Sequence, residues 1–326
     1  MQLSITSVGV ALGSKVVTNE DLSKQNPDWD LAAITAKTGT VRRLSSPQES
    51  ALELASRAAT QILAEADKSS VDCLIAVTST SDLRFPGVAC LLQHKLGLRT
   101  SVFAFDVNLG CSGFVYAYIT LGALTLAGVV KRPLLVCTDT YTRFIASNDR
   151  AARPIFSDAA AAMLFSPDEG MTIIDYDVGT DGGGGYDLML RGIPPNPEDV
   201  ANGGTTRMDL HMDGAKVLMF TLSKVPASVR KVLTRQGLNP EDISHFIFHQ
   251  ASKIVLDNLQ RNLKIPEDRL FRNLEKFGNT VSCTIPICLK DLIDGKQLRP
   301  GSLLLLCGFG VGLSWATCLI RVGRMP

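Results

Sequence analysis

Short apolar runs, each about the length of one buried strand, alternate along this chain with longer stretches whose apolar residues recur at helical spacing. The predicted strands cover residues 4–11, 73–78, 101–106, 134–137, 161–165, 245–248 and 303–307. The predicted helices cover residues 49–66, 87–95, 112–127, 214–236 and 252–263. Alternation of this kind is typical of an α/β fold in which helices cover buried sheets.

A Gly- and Pro-rich stretch divides the chain near its middle. Residues 179–204 read "GTDGGGGYDLMLRGIPPNPEDVANGG", a composition that predicts a loop. Each half contains a helix, then a strand with adjacent polar residues, and then a late apolar strand, "RPLLVCTD" in the first and "GSLLLLCGFG" in the second. We therefore predict two similar halves, residues 1–170 and 171–326, that arose by internal duplication.

Charge and cysteine content argue against several classes of protein. The formal net charge is +1, so no overall field attracts nucleic acid or an anionic membrane. Apolar runs stop short of the roughly 18 residues that a membrane-spanning helix needs. The N-terminus lacks a basic start followed by a long apolar core, so we expect a cytoplasmic protein. The eight Cys form no C-x-x-C pair, which favours reduced thiols over disulfides or a metal site.

One cysteine stands at a predicted strand-to-helix junction. In "VNLGCSGFVYAYITLGA", residues 107–123, Cys111 lies between Gly110 and Gly113 at the start of a helix-like run. The positive end of a helix dipole stabilises a thiolate, so we expect the pKa of this thiol to fall below its usual value of about 8.5. The residue pattern alone leaves two alternatives open: a nucleophile, or a small buried Cys chosen for packing.

Three further segments carry residue types that could assist such a nucleophile. His249 ends a predicted strand in "ISHFIFHQAS" and precedes Ser252, a candidate helix N-cap. Asn279 lies in the turn-like "FGNTVSCTIP". The Gly-rich "CGFGVGLSW", residues 307–315, lacks the Lys of a phosphate-binding loop, but it could aim a backbone N–H at a developing oxyanion. Taken singly, each has an ordinary structural explanation: a hydrogen-bonded His, a turn Asn and a Gly-rich turn.

Together these segments resemble the β-ketoacyl-acyl-carrier-protein synthase III family of thiolase-like condensing enzymes. "NLGCSGFVYA" is similar to the family's nucleophile segment, "HQAS" to its H-Q-A-N, "GNTVSCTIP" to its G-N-T…I-P, and "GFGVGLSW" to its final G-G-G-F-T-W. The similarity covers essentially the whole chain and keeps the order Cys, His, Asn and Gly-rich loop. It implies a thiolase-like fold, in which two similar α/β halves related by a pseudo-twofold stack as αβαβα layers, and a homodimer.

The resemblance implies a reaction in two halves. Cys111 takes an acyl group from acyl-CoA or an acyl carrier protein, and a malonyl thioester then loses CO₂ and attacks the acyl-Cys111 carbonyl. His249 and Asn279 would donate hydrogen bonds to the malonyl thioester oxygen, and the backbone N–H groups of Cys111 and Val311 would form the second oxyanion hole. No cofactor is expected beyond the thioester substrates.

Two other functions remain open on the sequence. The first is an acyltransferase on the same scaffold that passes the Cys-bound acyl group to an oxygen or nitrogen acceptor. The second is a non-catalytic subunit of a heterodimer, which the presence of Cys111, His249 and Asn279 disfavours. Release of CO₂ from a malonyl thioester separates the leading function from the first alternative.

The resemblance also assigns substrate binding. The residues concerned are Phe85, Arg84, Arg150, Lys37, Tyr141 and Phe156. Ala33 stands where the family often has a Trp that stacks on the adenine of CoA, which makes a carrier protein a plausible donor. Phe85 is expected near the far end of the acyl pocket across the dimer interface. Arg84 either meets a carboxylated acyl tail or is a solvated surface charge. With Val311 in place of a Gly, short or polar acyl groups are expected.

Overall fold

The computed structural model describes residues 1–167, 170–190 and 210–323. Its strands are β1 (Ser4–Leu12), β2 (Lys15–Thr18), β3 (Arg42–Ser45), β4 (Cys73–Val77), β5 (Phe103–Val107), β6 (Pro133–Asp139), β7 (Ala159–Ser166), β8 (Met171–Thr180), β9 (Leu188–Leu190), β10 (Leu210–Met212), β11 (His245–Phe248), β12 (Leu303–Gly310) and β13 (Ser314–Val322). Its α-helices are α1 (Asn19–Gln25), α2 (Leu31–Thr38), α3 (Ala51–Leu63), α4 (Val88–Leu96), α5 (Gly110–Leu126), α6 (Gly214–Gln236), α7 (Lys253–Leu263), α8 (Leu274–Phe277) and α9 (Thr284–Asp294).

Most of the strands form two mixed sheets. The five-stranded sheet has the order β1-β7-β6-β4-β5, in which β4 is parallel to β5 and β6, and β7 is antiparallel to β1 and β6. The four-stranded sheet has the order β11-β12-β13-β8, in which only β11 and β12 are parallel. Every strand of the first sheet ends by Ser166, and every strand of the second begins at or after Met171.

The main hydrophobic core lies between these sheets and encloses α5. Phe114 and Val115 of α5 share one cluster with Ile75 of β4 and with Leu304 and Leu306 of β12. Buried positions occur all around α5, as a helix between two apolar surfaces requires. Helix α9 contributes to the same cluster, so α5 and α9 form the central layer.

Separate clusters cover the outer faces of the two sheets. Leu54 of α3 and Leu92 of α4 pack with Leu74 on the five-stranded sheet. Val229 of α6 and Leu256 of α7 belong to the cluster on the four-stranded sheet. The order of layers is therefore helix, sheet, helix, sheet, helix, which confirms the predicted αβαβα arrangement.

Every predicted strand and helix is present, and α6 and β11 have the predicted bounds. Ten elements went unpredicted, namely strands β2, β3, β8, β9, β10 and β13 and helices α1, α2, α8 and α9. The loop predicted over residues 179–204 is wrong at its start, because β8 extends to Thr180 and Leu188–Leu190 form β9. Residues 191–204 lie outside the described part of the chain. The Gly-rich loop is also shorter than predicted, since β12 continues to Gly310 and β13 begins at Ser314.

All eight cysteines are free, and only Cys90 is exposed, which confirms the prediction of unpaired thiols. Among the described helices, none has the length and apolar character to cross a membrane.

Candidate active site

Cys111 is the second residue of α5, four residues after the last residue of β5. Gly110 has a φ of +48°, a conformation that glycine adopts readily. A Cβ at Gly113 would lie 2.5 Å from a methyl carbon of Val77, so glycine lets α5 approach β4 closely. The two glycines around the cysteine are therefore required by the sharp turn and by the contact between helix and sheet.

The end of β12 lies directly against this cysteine. A Cβ at Gly310 would be 2.9 Å from Cys111 Cβ and 3.1 Å from its Sγ. The glycines on either side of Val311 have positive φ angles, +151° at Gly310 and +131° at Gly312, whereas Val311 itself does not have a positive φ angle. The backbone N–H of Val311 lies within hydrogen-bond reach of the Cys111 sulfur, and it favours the thiolate. The role of this N–H as an oxyanion-hole donor stays a prediction.

The expected fall in the Cys111 pKa is wrong. Burial raises the pKa of this thiol to about 12, and the negative charge of Asp139 adds to the effect. The N–H groups of Val311 and Cys111 itself oppose the rise without overcoming it. Only 5% of Cys111 is exposed, so the loss of solvation outweighs the field of the helix N-terminus. The resting side chain is a thiol, and its proton must be removed for it to act as a nucleophile.

His249 follows β11, and its backbone N–H donates to the Cys307 carbonyl at 2.8 Å. His249 is 2% exposed, and the centre of its ring lies 5.5 Å from the centre of the Phe309 ring, with the two ring planes nearly perpendicular. Its Nδ1 lies 2.8 Å from Thr284 Oγ1. Burial lowers the His249 pKa to about 3, with the Val281 carbonyl acting in the opposite direction, so the ring is neutral at pH 7. The next helix, α7, begins after Ser252, whose hydroxyl caps it as predicted.

Asn279 follows Gly278, whose φ of +66° ends α8. Its backbone is held on both sides, since its N–H donates to Ile155 O at 3.0 Å and its carbonyl accepts from Ser157 at 2.8 Å. The amide Nδ2 lies 3.4 Å from His249 Nε2. These two backbone hydrogen bonds attach the turn that contains Asn279 to the loop before β7.

Cys111, His249 and Asn279 line one cavity of about 240 Å³. The rest of its wall is largely apolar, with Leu188, Met212, Val217, Leu218 and Phe309 among the lining residues. The structure therefore brings together the three residues that the sequence motifs singled out. The cavity is large enough for a small acyl group and shields the thiol from water.

Of the predicted substrate-binding residues, Lys37 and Phe156 line this cavity, and Lys37 is the one charged side chain among the described lining residues. Tyr141 does not line it but packs behind Phe156, with the ring centres 5.3 Å apart. Arg84, Phe85 and Arg150 lie outside the wall of the cavity in this chain. Substrate binding by those three residues stays a prediction.

Two buried polar residues beside the site escaped the sequence analysis. Asp139 ends β6 and accepts hydrogen bonds from the Ser79 N–H at 2.9 Å and from the Ser282 N–H and hydroxyl. Burial raises the Asp139 pKa to about 6, while those donors lower it. Its place at the end of an apolar strand, in "RPLLVCTD", was an available signal. Thr284, the partner of His249, had no such signal.

The comparisons with known families agree with this geometry. The family model described as 3-Oxoacyl-[acyl-carrier-protein (ACP)] synthase III matches residues 105–182, and the model of its C-terminal part matches residues 233–322. Between them, these matches contain Cys111, His249, Asn279 and the β12–β13 turn.

Individual relatives match over nearly their whole length. A protein of Gloeobacter violaceus named beta-ketoacyl-[acyl-carrier-protein] synthase III is 34% identical, and the alignment covers 99% of each chain. A crystal structure of a 3-oxoacyl-(acyl-carrier-protein) synthase III is 35% identical with a TM-score of 0.91, covering 98% of this chain and 100% of the other. The priming β-ketosynthase of the R1128 polyketide pathway is 26% identical with a TM-score of 0.88, covering 100% and 97%.

Proposed function

Since this chain belongs to the 3-oxoacyl-acyl-carrier-protein synthase III family and is a condensing transferase with the thiolase-like fold, we propose that it carries its acyl group on Cys111. The observation that supports this assignment is the meeting of Cys111, His249 and Asn279 on one enclosed cavity. A thiol is a strong nucleophile once deprotonated, and a thioester product retains enough reactivity for a second transfer.

In the first half-reaction, Cys111 Sγ attacks the carbonyl carbon of an acyl thioester, and the donor leaves as a thiol. The oxyanion that forms on the attacked carbon would accept from the backbone N–H groups of Cys111 and Val311, of which Val311 already lies within reach of the sulfur. Donors aimed at developing charge in a dry site are worth about 3–4 kcal/mol each.

In the second half-reaction, a malonyl thioester loses CO₂, and its carbanion attacks the acyl-Cys111 carbonyl. Negative charge then develops on the malonyl thioester oxygen. The Asn279 amide, which is 4% exposed and faces the same cavity, is the proposed donor to this oxygen. The neutral ring of His249, which lines the same cavity, is the proposed second donor. The thioesters supply the reactive groups, so the proposed chemistry needs no cofactor.

The alternative is an acyltransferase that passes the acyl group to an oxygen or nitrogen acceptor. Asn279 favours condensation, because an acceptor that loses no CO₂ has no need of an amide at that place in the cavity. The deciding experiment loads Cys111 with an acyl group, adds a ¹⁴C-carboxyl-labelled malonyl thioester and measures released ¹⁴CO₂ and the β-ketoacyl product. Acylation of Cys111 without CO₂ release would favour the alternative. Acylation that persists in Cys111→Ala would contradict both.

We further propose that donors are short or polar acyl thioesters of CoA or of an acyl carrier protein. Two features support a small acyl group. The cavity has a volume of only about 240 Å³. The Val311 side chain adds bulk beside Cys111, since one of its methyl carbons lies 3.1 Å from the place that a Cβ on Gly110 would take. The position of Lys37 on the cavity wall suits the phosphate or pantetheine oxygens of either donor. Such substrates, together with the free thiols, suit the cytoplasm.

A homodimer is proposed for the enzyme. Among the described strands, β5 pairs with β4 alone and forms one edge of the five-stranded sheet. An edge strand is a template for pairing with another chain, and Phe103 on β5 is 48% exposed. Phe85, which is 82% exposed, would then be free to reach a partner's cavity. Light scattering should give twice the mass of one chain, and Phe103→Glu should give one chain mass. A wild-type monomer would contradict the proposal.

A further inference from the structure

A buried arginine outside the active-site cavity has an N–H group without a partner. Arg43 lies on β3 and is 2% exposed. Its Nε donates to the Pro154 carbonyl at 2.8 Å and its Nη2 to the Thr40 carbonyl at 3.3 Å. Its Nη1 is buried and has no hydrogen-bond partner. A guanidinium removed from water is costly unless an opposite charge compensates it, and both of these acceptors are neutral carbonyls.

A second positive charge makes this environment less favourable still. Burial lowers the pKa of Arg43 to about 10, and the positive charge of Arg153 lowers it further, so Arg43 stays charged at pH 7. Arg153 is half-buried, and its Nη1 donates to the carbonyls of Thr142 at 3.0 Å and Ile145 at 3.5 Å. Within the described chain, the acceptors that these two guanidinium groups bond are therefore all backbone carbonyls.

Both arginines line one small cavity, separate from the active-site cavity. It has a volume of about 10 Å³, close to the smallest space that holds one particle of the size of water. Its wall is completed by residues of β2, of β3 and of the segment before β7, namely Val17, Ser45, Thr142, Ile145 and Phe156. The unpartnered Nη1 of Arg43 thus belongs to a side chain that faces a space for a single small occupant.

The other polar groups of this region are bonded to one another. The Thr142 hydroxyl donates to Asp158 Oδ2 at 2.6 Å, so Ser45, whose hydroxyl lies 2.8 Å from it, donates to Thr142. The Asp158 carboxylate also accepts from the backbone N–H groups of Ser46 at 2.7 Å and Thr142 at 2.9 Å. Asp158 does not line the cavity. The free donors that face the cavity are therefore those of the arginines.

We propose that Arg43 and Arg153 bind a monatomic anion of the halide class, such as chloride, in this cavity between the β2–β3 hairpin and the segment before β7. A water molecule would satisfy Nη1 but would leave two positive charges uncompensated. A halide accepts from several N–H donors at once and supplies the missing negative charge. Sulfate and carboxylates have several heavy atoms each and are too large for a cavity of about 10 Å³.

The proposed ion lies behind one wall of the active site. Phe156 lines both cavities, and the Pro154 carbonyl, two residues before it, accepts from Arg43. The residues on either side of Phe156 hold the backbone of Asn279. A halide that offsets the repulsion between Arg43 and Arg153 therefore stabilises the segment that carries this wall. That role is structural and does not depend on which reaction the enzyme performs.

The direct test is crystallography of the full-length protein grown in sodium bromide, with data collected at the bromine absorption edge. We expect an anomalous peak inside the cavity, within hydrogen-bond distance of Arg43 Nη1. Crystals of Arg153→Met grown in the same way should show a weaker peak or none, because one of the two charges is gone. A cavity without anomalous signal in the wild-type protein, whether empty or filled by water, would overturn the proposal.

The test in solution is urea unfolding in sodium chloride, sodium bromide and sodium gluconate at equal ionic strength. A ligand that binds the native state alone raises the unfolding midpoint, by about 0.5 M urea at a halide concentration ten times its Kd. Wild type should show this rise in chloride and bromide relative to gluconate, since gluconate is too large for the cavity.

Three variants distinguish a bound ion from a general effect of salt. Arg153→Met should lose most of the difference between halide and gluconate, and so should Arg43→Met if it folds. Arg143→Met is the matched control, because Arg143 pairs with Asp82 at 3.2 Å and does not line the cavity, and it should keep the wild-type difference. Equal midpoints of the wild type in all three salts, or the same difference in Arg153→Met as in wild type, would refute the halide site.

Discussion

Acidification should destabilise this protein through the buried ring of His249. The pKa of His249 is lowered from 6.5 to about 3 by burial, so the unfolded chain binds a proton at a pH where the native protein does not. Because the pKa of His249 is lower in the native protein than in the unfolded chain, the native fold is most stable at a pH above 6.5, where the ring is neutral in both states. This stability is lost as the pH falls from 6.5 towards 3. Replacing His249 by a residue that does not titrate should remove that part of the pH dependence.

The magnitude follows from the two pKa values. Between pH 8 and pH 5, the unfolded chain gains almost a full proton at this position and the native protein almost none. The free energy of unfolding therefore falls by about 2 kcal/mol from this group. Asp139 acts in the opposite direction. Its pKa is raised from 3.8 to about 6, so on acidification the native protein takes up this proton before the unfolded chain does. The free energy of unfolding therefore rises by about 1 kcal/mol between pH 8 and pH 5 from this group. The wild-type curve contains both effects, and only a comparison with a variant isolates His249.

The assay is urea unfolding of wild type and His249→Asn at pH 8, 7, 6 and 5, at constant ionic strength. The variant should lose about 2 kcal/mol less than wild type between pH 8 and pH 5, whatever its absolute stability. His211→Asn is the matched control, because His211 is exposed on β10, and it should follow the wild-type curve. Parallel curves for wild type and His249→Asn would show that the ring is not held neutral in the native protein.

Three further outcomes follow from the site. Gly310→Ala should fold but lose most Cys111 acylation, because the new Cβ would lie 3.1 Å from the sulfur in a backbone conformation with φ of +151°; normal labelling of the thiol by an acyl-CoA would contradict this. Asn279→Ala should keep Cys111 acylation yet release ¹⁴CO₂ from the malonyl thioester about 10²-fold more slowly, and normal condensation would remove the donor role of Asn279. In a donor series from acetyl to decanoyl, the short acyl groups should acylate Cys111 fastest, and efficient decanoyl transfer would contradict the short-chain proposal. The same series includes succinyl and glutaryl donors and is repeated with Arg84→Ala. If the variant transfers these two groups at the wild-type rate, Arg84 has no role in binding a carboxylate.

The bounds of a helix could be predicted where the apolar periodicity and the residues that cap both of its ends are all visible in the local sequence. Helix α6 is amphipathic, begins after the capping Asp213 and ends at Gly237 in a left-handed conformation, so its bounds were predicted correctly. Strand β8 was missed because its charged residues look like a loop. In the structure, Asp175 pairs with Arg235 of α6 at 2.8 Å, and Asp177 pairs with Lys231. Partners some 60 positions along the chain make a charged strand stable, and no local pattern announces them.

The same distinction explains what was found and missed at the site. Cys111, His249 and Asn279 were recognised because each lies in its own short motif. The state of those groups was not predictable from the motifs, since the thiol pKa rises through burial by segments far away in the sequence. Thr284 lies 2.8 Å from His249 Nδ1, next to a turn in which Val281 adopts a positive φ, which valine disfavours. A sequence rule would have argued against that turn, so the neighbour of the imidazole could not be identified from the motif. The hydrogen-bond partner of the His249 ring is therefore a property of the folded turn, and substitutions at Val281 or Thr284 should change the surroundings of that ring while every motif residue stays in place.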